Sequence, residues 1–219
     1  MLNHQFKIKN TNASIVLGDI TKQIVDAYVV PHFDNEVSWS IIGISVARAG
    51  AEKGMLEYQD KYCDGRLKFG DVILTQSYGG NSKYLLNATS LASGREKEPR
   101  TVYDATFNAI KVAEANKLSS VAFPVLGTGI IGKLIPEQSA LIMLGAAHNA
   151  IQTLQDIRFV IHGDRFIYGD RFAYDEFVKI ANSEKAVLQV SELLKNMVGK
   201  AEFNQARWLS EFVKGRVFG

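Results

Sequence analysis

Residues 121–136 read Val-Ala-Phe-Pro-Val-Leu-Gly-Thr-Gly-Ile-Ile-Gly-Lys-Leu-Ile-Pro, and this stretch decides the fold. Val121 to Leu126 is a short apolar run with the length and β-branched character of a buried strand. It runs into Gly127, Gly129 and Gly132, and a helical pattern then opens at Pro136, a favoured first-turn residue. A strand, a glycine loop and a helix start together aim backbone N–H groups at an anionic oxygen. Glycine suits such a loop because a side chain would hold a phosphate away from those N–H groups. The stretch points to a phosphorylated ligand.

Two common nucleotide fingerprints match it only on paper. Gly127-x-Gly129-x-x-Gly132 has the dinucleotide spacing, but that pattern needs its third glycine inside the helix. Pro136, four residues on, would remove a hydrogen bond from such a helix and clash with its preceding turn. Gly127-x-x-x-x-Gly132-Lys133 has most of a triphosphate loop, yet Leu134 stands where Ser or Thr must hold magnesium.

Outward from this loop, strands and helices alternate. Phe6–Lys9, Ser14–Leu17, Ala27–Val30, Asp71–Gln76, Lys83–Asn87 and Arg158–His162 read as strands, with Gly79-Gly80-Asn81 as a turn. Thr101–Asn116 carries Val102, Ala105, Ala109 and Ala113 at helical spacing, and Pro136–Leu154 repeats the pattern. Tyr174–Ala181 is a further helix. Helices of this length between strands imply crossovers and a mostly parallel or mixed sheet covered on both faces. Ligands of such sheets sit beyond the carboxyl ends of the strands, where Gly127–Gly132 falls.

Composition bounds the function. The chain has 219 residues, 47% hydrophobic and 22% charged, which is ordinary for one substantial α/β domain. The net charge of +2 argues neither for nor against nucleic acid, and no basic tract concentrates it; no nucleic-acid partner is expected. Cys63 is the single cysteine, which excludes an intrachain disulfide and favours a reducing compartment. The first residues have no signal-peptide core, and Ala140–Ala147, the longest apolar stretch, is far short of a membrane span. A cytoplasmic protein with no membrane partner is expected. No grouping of His, Cys and carboxylates has zinc spacing, so neither metal nor cofactor is expected. His148 continues an apolar helical stripe and reads as an interior or boundary residue.

A second loop belongs at the same sheet edge. Ser14 to Leu17 is a strand that ends in Gly18-Asp19-Ile20-Thr21. Asp19 either caps the following turn, as such residues commonly do, or accepts a hydrogen bond from an exocyclic amine such as that of adenine.

Gly18-Asp19-Ile20-Thr21, then Val25-Asp26-Ala27, then Phe123-Pro124 and Gly127-Thr128-Gly129-Ile130-Ile131-Gly132, in this order and spacing, resemble the macro domain family. The resemblance runs from Ile15 to Ala181. It implies a three-layer α/β/α domain with a mixed, mostly parallel sheet that binds ADP-ribose in a cleft at the strand ends. Asp19 would hold the adenine amino group and the Ile20 backbone a ring nitrogen. Gly127 to Gly132 would carry the diphosphate, with Thr128 to Gly132 wrapped around it. Phe166 is the nearest candidate for the aromatic that stacks on adenine. The macro-like domain is expected over residues 1–182.

The departures are as informative. Where the family continues Asn-Ala-Ala-Asn, this chain reads Val30-Pro31-His32-Phe33, so the second Asn, which serves hydrolysis in catalytic members, falls on Phe33. The glycines of the family's first phosphate loop fall on Val37 to Ser40, leaving Gly43 alone to match, and Ile131 stands where an aromatic is frequent. His32, Asp34 and Asn35 are candidate replacement catalytic groups, since a His beside an Asp can act as a general base. The plainer reading is a polar loop after a strand, with Phe33 and Trp39 packed over the core. Three functions follow: a module that binds ADP-ribose or a related adenine nucleotide, including on ADP-ribosylated protein; a hydrolase of ADP-ribosyl or O-acetyl-ADP-ribose substrates; or a scaffold without ligand.

From Ser183 two more helical stripes follow: Val187, Val190, Leu194 and Met197, then Phe203, Ala206, Leu209 and Phe212–Val213 beside Trp208. Residues 183–219 are expected to form a helical extension packed on the domain, with self-association as the alternative use of its apolar faces.

Overall fold

Along the strands of this chain alternate residues enter two separate cores. In the strand Ala27–His32, Ala27 and Val29 join one apolar cluster, while Tyr28 and Val30 join the other. In Ser120–Pro124, Val121 and Phe123 face the first cluster and Ala122 the second. A period of two with both faces apolar means a sheet covered on both sides.

The computed structural model describes residues 2–33, 36–37, 41–64, 66–91, 99–128, 134–163 and 169–198. Its strands are β1 (Leu2–Ile8), β2 (Thr11–Gly18), β3 (Ala27–His32), β4 (Val72–Gln76), β5 (Tyr84–Thr89), β6 (Ser120–Pro124) and β7 (Asp156–His162). They form a seven-stranded sheet in the order β1-β2-β7-β6-β3-β5-β4. The inner pairs are parallel, and β1 and β4 run antiparallel at the two edges. The helices are α1 (Ile41–Val46), α2 (Glu52–Tyr62), α3 (Pro99–Ala115), α4 (Pro136–Ala150), α5 (Gly169–Ala181) and α6 (Glu184–Met197). Residues of α3, α4, α5 and α6 fill one core; α1, α2 and the segment between them fill the other. The three-layer α/β/α architecture is as expected.

Several ends differ from the sequence reading for local reasons. Lys9, expected in the first strand, takes φ 54° in the turn to β2, and β1 begins earlier, at Leu2. The helix read as Pro136–Leu154 stops at Ala150, because Glu114 Oε1 accepts the N–H groups of Gln152, Thr153 and Leu154 and holds them out of the helix. Between α1 and α2 the chain kinks at Gly50 (φ 108°), where the Gly79–Gly80 turn packs backbone against backbone. A Cβ on Gly79 would lie 2.5 Å from the Gly50 carbonyl oxygen, so this crossing needs glycine. α6 buries Val187, Val190, Leu194 and Met197 against the domain and approaches α4 closely at Gly145. The second stripe, Phe203 to Val213, lies outside the described residues.

One polar knot sets the register of the centre. Asp26 Oδ2 accepts the N–H (2.7 Å) and hydroxyl (2.7 Å) of Ser119 and the N–H of Ser120 (3.1 Å). Its own N–H donates to Ser120 Oγ at 2.8 Å, and its carbonyl accepts from Lys83 and Tyr84 N–H. Burial alone would raise its pKa, but the hydrogen bonds from Ser119 and Ser120 outweigh that and hold it below the usual carboxylate value. A depressed folded-state pKa contributes stability that is present above the unfolded value and lost as pH falls through the folded one. Asp26→Asn is therefore expected to cost about 2 kcal/mol at neutral pH. In urea unfolding, its deficit against the parent should shrink as pH drops below about 4; a gap independent of pH would contradict the charged knot.

Candidate functional site

Because β2, β7, β6, β3 and β5 are parallel, they deliver their carboxyl ends, Gly18, His162, Pro124, His32 and Thr89, to one edge of the sheet. The loops that leave this edge carry the residues singled out from the sequence.

After β2 the chain enters a short 3-10 turn, Ile20–Lys22, with Asp19 as its N-cap. Asp19 Oδ1 accepts the N–H of Thr21 at 2.8 Å and its hydroxyl at 2.7 Å, so the capping role is real. The other oxygen, Oδ2, and the Ile20 N–H have no hydrogen bond to any described residue. The Ile20 side chain is buried in the second core, which fixes this backbone in place. Tyr28, beneath the turn, donates its hydroxyl to the carbonyls of Thr21 and Gln23, and burial, with the nearby Asp19 charge, pushes its pKa up to about 12. The cap and the two unused polar groups belong to one rigid unit.

The glycine loop is anchored at both ends. Leu126 N–H approaches the Met143 sulfur at 3.4 Å, and the Ser139 hydroxyl donates to the Leu126 carbonyl at 2.7 Å. Leu134 N–H donates to the Gly127 carbonyl at 3.3 Å and closes the loop. Gly127 has φ 85°, and a Cβ there would meet Leu134 at 2.8 Å and Val102 at 3.0 Å. Both conformation and space demand glycine. Thr128 follows, half-buried; Gly129, Ile130, Ile131 and Gly132 lie outside the described residues, as does Phe166. α4 then begins at Pro136.

The third loop leaves β3. His32 is 0% exposed: its Nε2 lies 3.0 Å from Asn87 Oδ1, and its ring stacks on Tyr58 with centroids 4.9 Å apart. Burial pushes its pKa down to about 4, only partly offset by Asn87, so the imidazole is neutral near neutral pH. The His32 carbonyl accepts the N–H groups of Ser90 and Leu91, which ties this end of β3 to the end of β5. Phe33, half-buried, donates its N–H to the Glu36 carbonyl, and Val37 is buried in the second core. Asp34, Asn35 and Trp39 lie outside the described residues. Gly43 is buried within α1, which packs beside β3 and the Ile20–Lys22 turn.

The supports of this site escape a reading of the sequence. Asn87, which also donates to the Ile73 carbonyl and Thr75 Oγ1, leaves only the trace of one amide inside an apolar run. Ser139 and Met143 look like ordinary α4 residues until the loop is seen above them. Among the described residues no group of His, Cys, Asp and Glu could hold a metal ion, and no helix is long and apolar enough to cross a membrane.

The family model described as Macro domain matches residues 42–143. An uncharacterised protein of Sulfurisphaera tokodaii is 36% identical over 125 residues, spanning 54% of this chain and 65% of its own length. One from Thermotoga maritima is 28% identical over 63% of this chain, which spans only 23% of that relative. An Escherichia fergusonii protein named O-acetyl-ADP-ribose deacetylase is 25% identical over 65% of this chain and 77% of its own. Among solved structures, the Oceanobacillus iheyensis macrodomain with ADP superposes with a TM-score of 0.70 at 21% identity, covering 84% of this chain and 98% of that one. The Trypanosoma brucei macrodomain in complex with ADP-ribose gives 0.62 at 19% identity, covering 76% and 68%.

The anchoring predicts a structural cost at the first loop glycine. Gly127→Ala forces a side chain into the left-handed region and against Leu134, which should lower stability by roughly 2 kcal/mol. Urea unfolding of the variant measures this directly; an unchanged midpoint would mean that the loop relaxes without strain.

Proposed function

We propose that this chain, a macro-domain protein by its fold and by the match over residues 42–143, binds ADP-ribose or a related adenine nucleotide at the carboxyl edge of its sheet. The observation that carries the reading is the Asp19–Ile20 unit: one carboxylate oxygen locked in a cap, the other oxygen and the next N–H left for a ligand. An acceptor beside a donor on a fixed backbone matches the amino group and adjacent ring nitrogen of adenine. Gly127 to Gly132, with Thr128, Gly129, Ile130 and Ile131 between, supplies the anion-binding loop ahead of α4. Gly43 lines the first phosphate side, and Phe166 stacks on the base. The solved macrodomains that carry ADP and ADP-ribose support the ligand class.

The reading is of a binder rather than a fast hydrolase. Phe33 offers no hydrogen bond to a distal ribose, and the buried His32 ring reaches no exposed substrate. A hydrolase reading rests on the deacetylase relative and would need Asp34 or Asn35 as the polar group beside the ribose.

Asp19→Asn tests the assignment cleanly. Asparagine caps as well as aspartate, so the turn should keep its stability, while one oxygen becomes an amide donor facing the adenine amine. Calorimetric titration with ADP-ribose should show affinity reduced at least about tenfold. Equal affinity would leave Asp19 as a cap alone.

Turnover is expected to be slow. Loss of one well-placed polar group commonly costs about a hundredfold to a thousandfold in rate. Incubation with mono-ADP-ribosylated protein and with O-acetyl-ADP-ribose, followed by release of ADP-ribose, should show rates at least that far below an active macrodomain hydrolase. Rates comparable to one, lost in Asp34→Ala, would move the protein into the hydrolase class.

A further inference from the structure

Where α2 meets the ends of β3 and β5, hydroxyl groups collect inside the protein. Tyr58 of α2 and Thr89, the last residue of β5, are both 0% exposed, and neither Tyr58 Oη nor Thr89 Oγ1 has a hydrogen-bond partner among the described residues. Ser90, whose N–H donates to the His32 carbonyl, carries a third buried hydroxyl in the same condition. Among the described residues only His4 Nε2 and His148 Nδ1 share it, one on β1 and the other on α4.

The groups are near one another but held apart. Burial is the main cause that pushes the Tyr58 pKa up, and the Thr89 hydroxyl and the Cys63 thiol are close enough to act on it. The Tyr58 ring cannot shift freely: it stacks on His32, with centroids 4.9 Å apart, and lies 6.0 Å from the ring of Tyr62. Nor can α2 slide closer. A Cβ on Gly54 would overlap the Gln76 carbonyl oxygen, so the helix already touches the end of β4 with its backbone. Thr89 is fixed from its own side, its N–H donating to the Asp71 carbonyl and its carbonyl accepting the N–H of Gly70. A buried hydroxyl left unbonded costs about 1–3 kcal/mol. A buried water removes that cost, since it typically makes about three hydrogen bonds to such groups. Cys63, half-buried at the C-terminal end of α2, gives the cluster a side toward solvent.

We propose that one internal water is bound between Tyr58 and Thr89. It accepts the Tyr58 O–H, donates to Thr89 Oγ1 and turns its second hydrogen to the Cys63 sulfur. The water then joins α2 to the carboxyl end of β5, beside His32, as a built part of the fold.

Magnetic relaxation dispersion of the water signal tests this, because it counts waters that stay inside a protein longer than the protein tumbles. Tyr58→Phe and Thr89→Val each remove one hydroxyl and nearly keep the side-chain volume. Each variant is expected to hold one long-lived water fewer than the parent, and the double variant no fewer than either. In urea unfolding each single variant should be less stable than the parent, since each strands the water's other partners. Counts equal to the parent's would overturn the proposal. So would losses that add in the double variant, which would mean two separate sites. A gain in stability in both single variants would show hydroxyls that nothing had satisfied, and would overturn it equally.

Discussion

Everything at the strand-end edge depends on a hydrogen-bonded carboxylate at the opposite edge. Asp26 joins the beginnings of three central strands: its side chain holds Ser119 and Ser120 ahead of β6, and its carbonyl holds Lys83 and Tyr84 at the start of β5. The next residue, Ala27, then pairs with both Tyr84 and Val121. A parallel sheet has no hairpin turn to set its register, so a fixed common origin has to do so. Once these strands start together, their lengths decide where His32, Thr89 and Pro124 end.

Glu114 has a matching role at the neighbouring strand. By collecting three N–H groups after α4, it ends that helix and turns the chain into β7. Both carboxylates are held below their usual pKa by hydrogen bonds that outweigh burial. The two edges therefore differ in kind. The edge where the parallel strands begin spends its polar groups on internal bonds. Among the described residues, the edge where they end keeps an acceptor and a donor, at Asp19 and Ile20, that no neighbour engages. A buried backbone N–H without a partner is costly, so groups of that kind are expected where a ligand or water completes them.

Much of this is legible in the chain. The runs around Val29, Phe123 and Phe159 are apolar on both faces, which only a sheet covered by helices on two sides can satisfy. The loop at Gly127 is legible because its φ of 85° admits glycine and little else. His32 reads as one candidate base because it stands beside Asp34 and Asn35 in the sequence. Alternation along β3 instead sends its side chain inward onto Tyr58 and Asn87, residues from α2 and β5 that sequence spacing cannot pair with it. The end of α4 is hidden for a similar reason: the apolar stripe continues to Leu154, but the group that stops the helix comes from α3.

By itself the sequence determined the class of sheet and the two loops at its carboxyl edge, and it put an apolar Phe33, with no side-chain hydrogen bond to offer, directly after β3, because periodicity, glycine and residue identity are local properties. Tertiary structure alone decided that Asp19 can cap and still offer an oxygen, that His32 is a neutral core residue, and that buried hydroxyls of α2 and β5 come together beside it. Each of these depends on which groups from distant segments fill the space around a side chain, and burial and hydrogen bonding exist only once those segments meet.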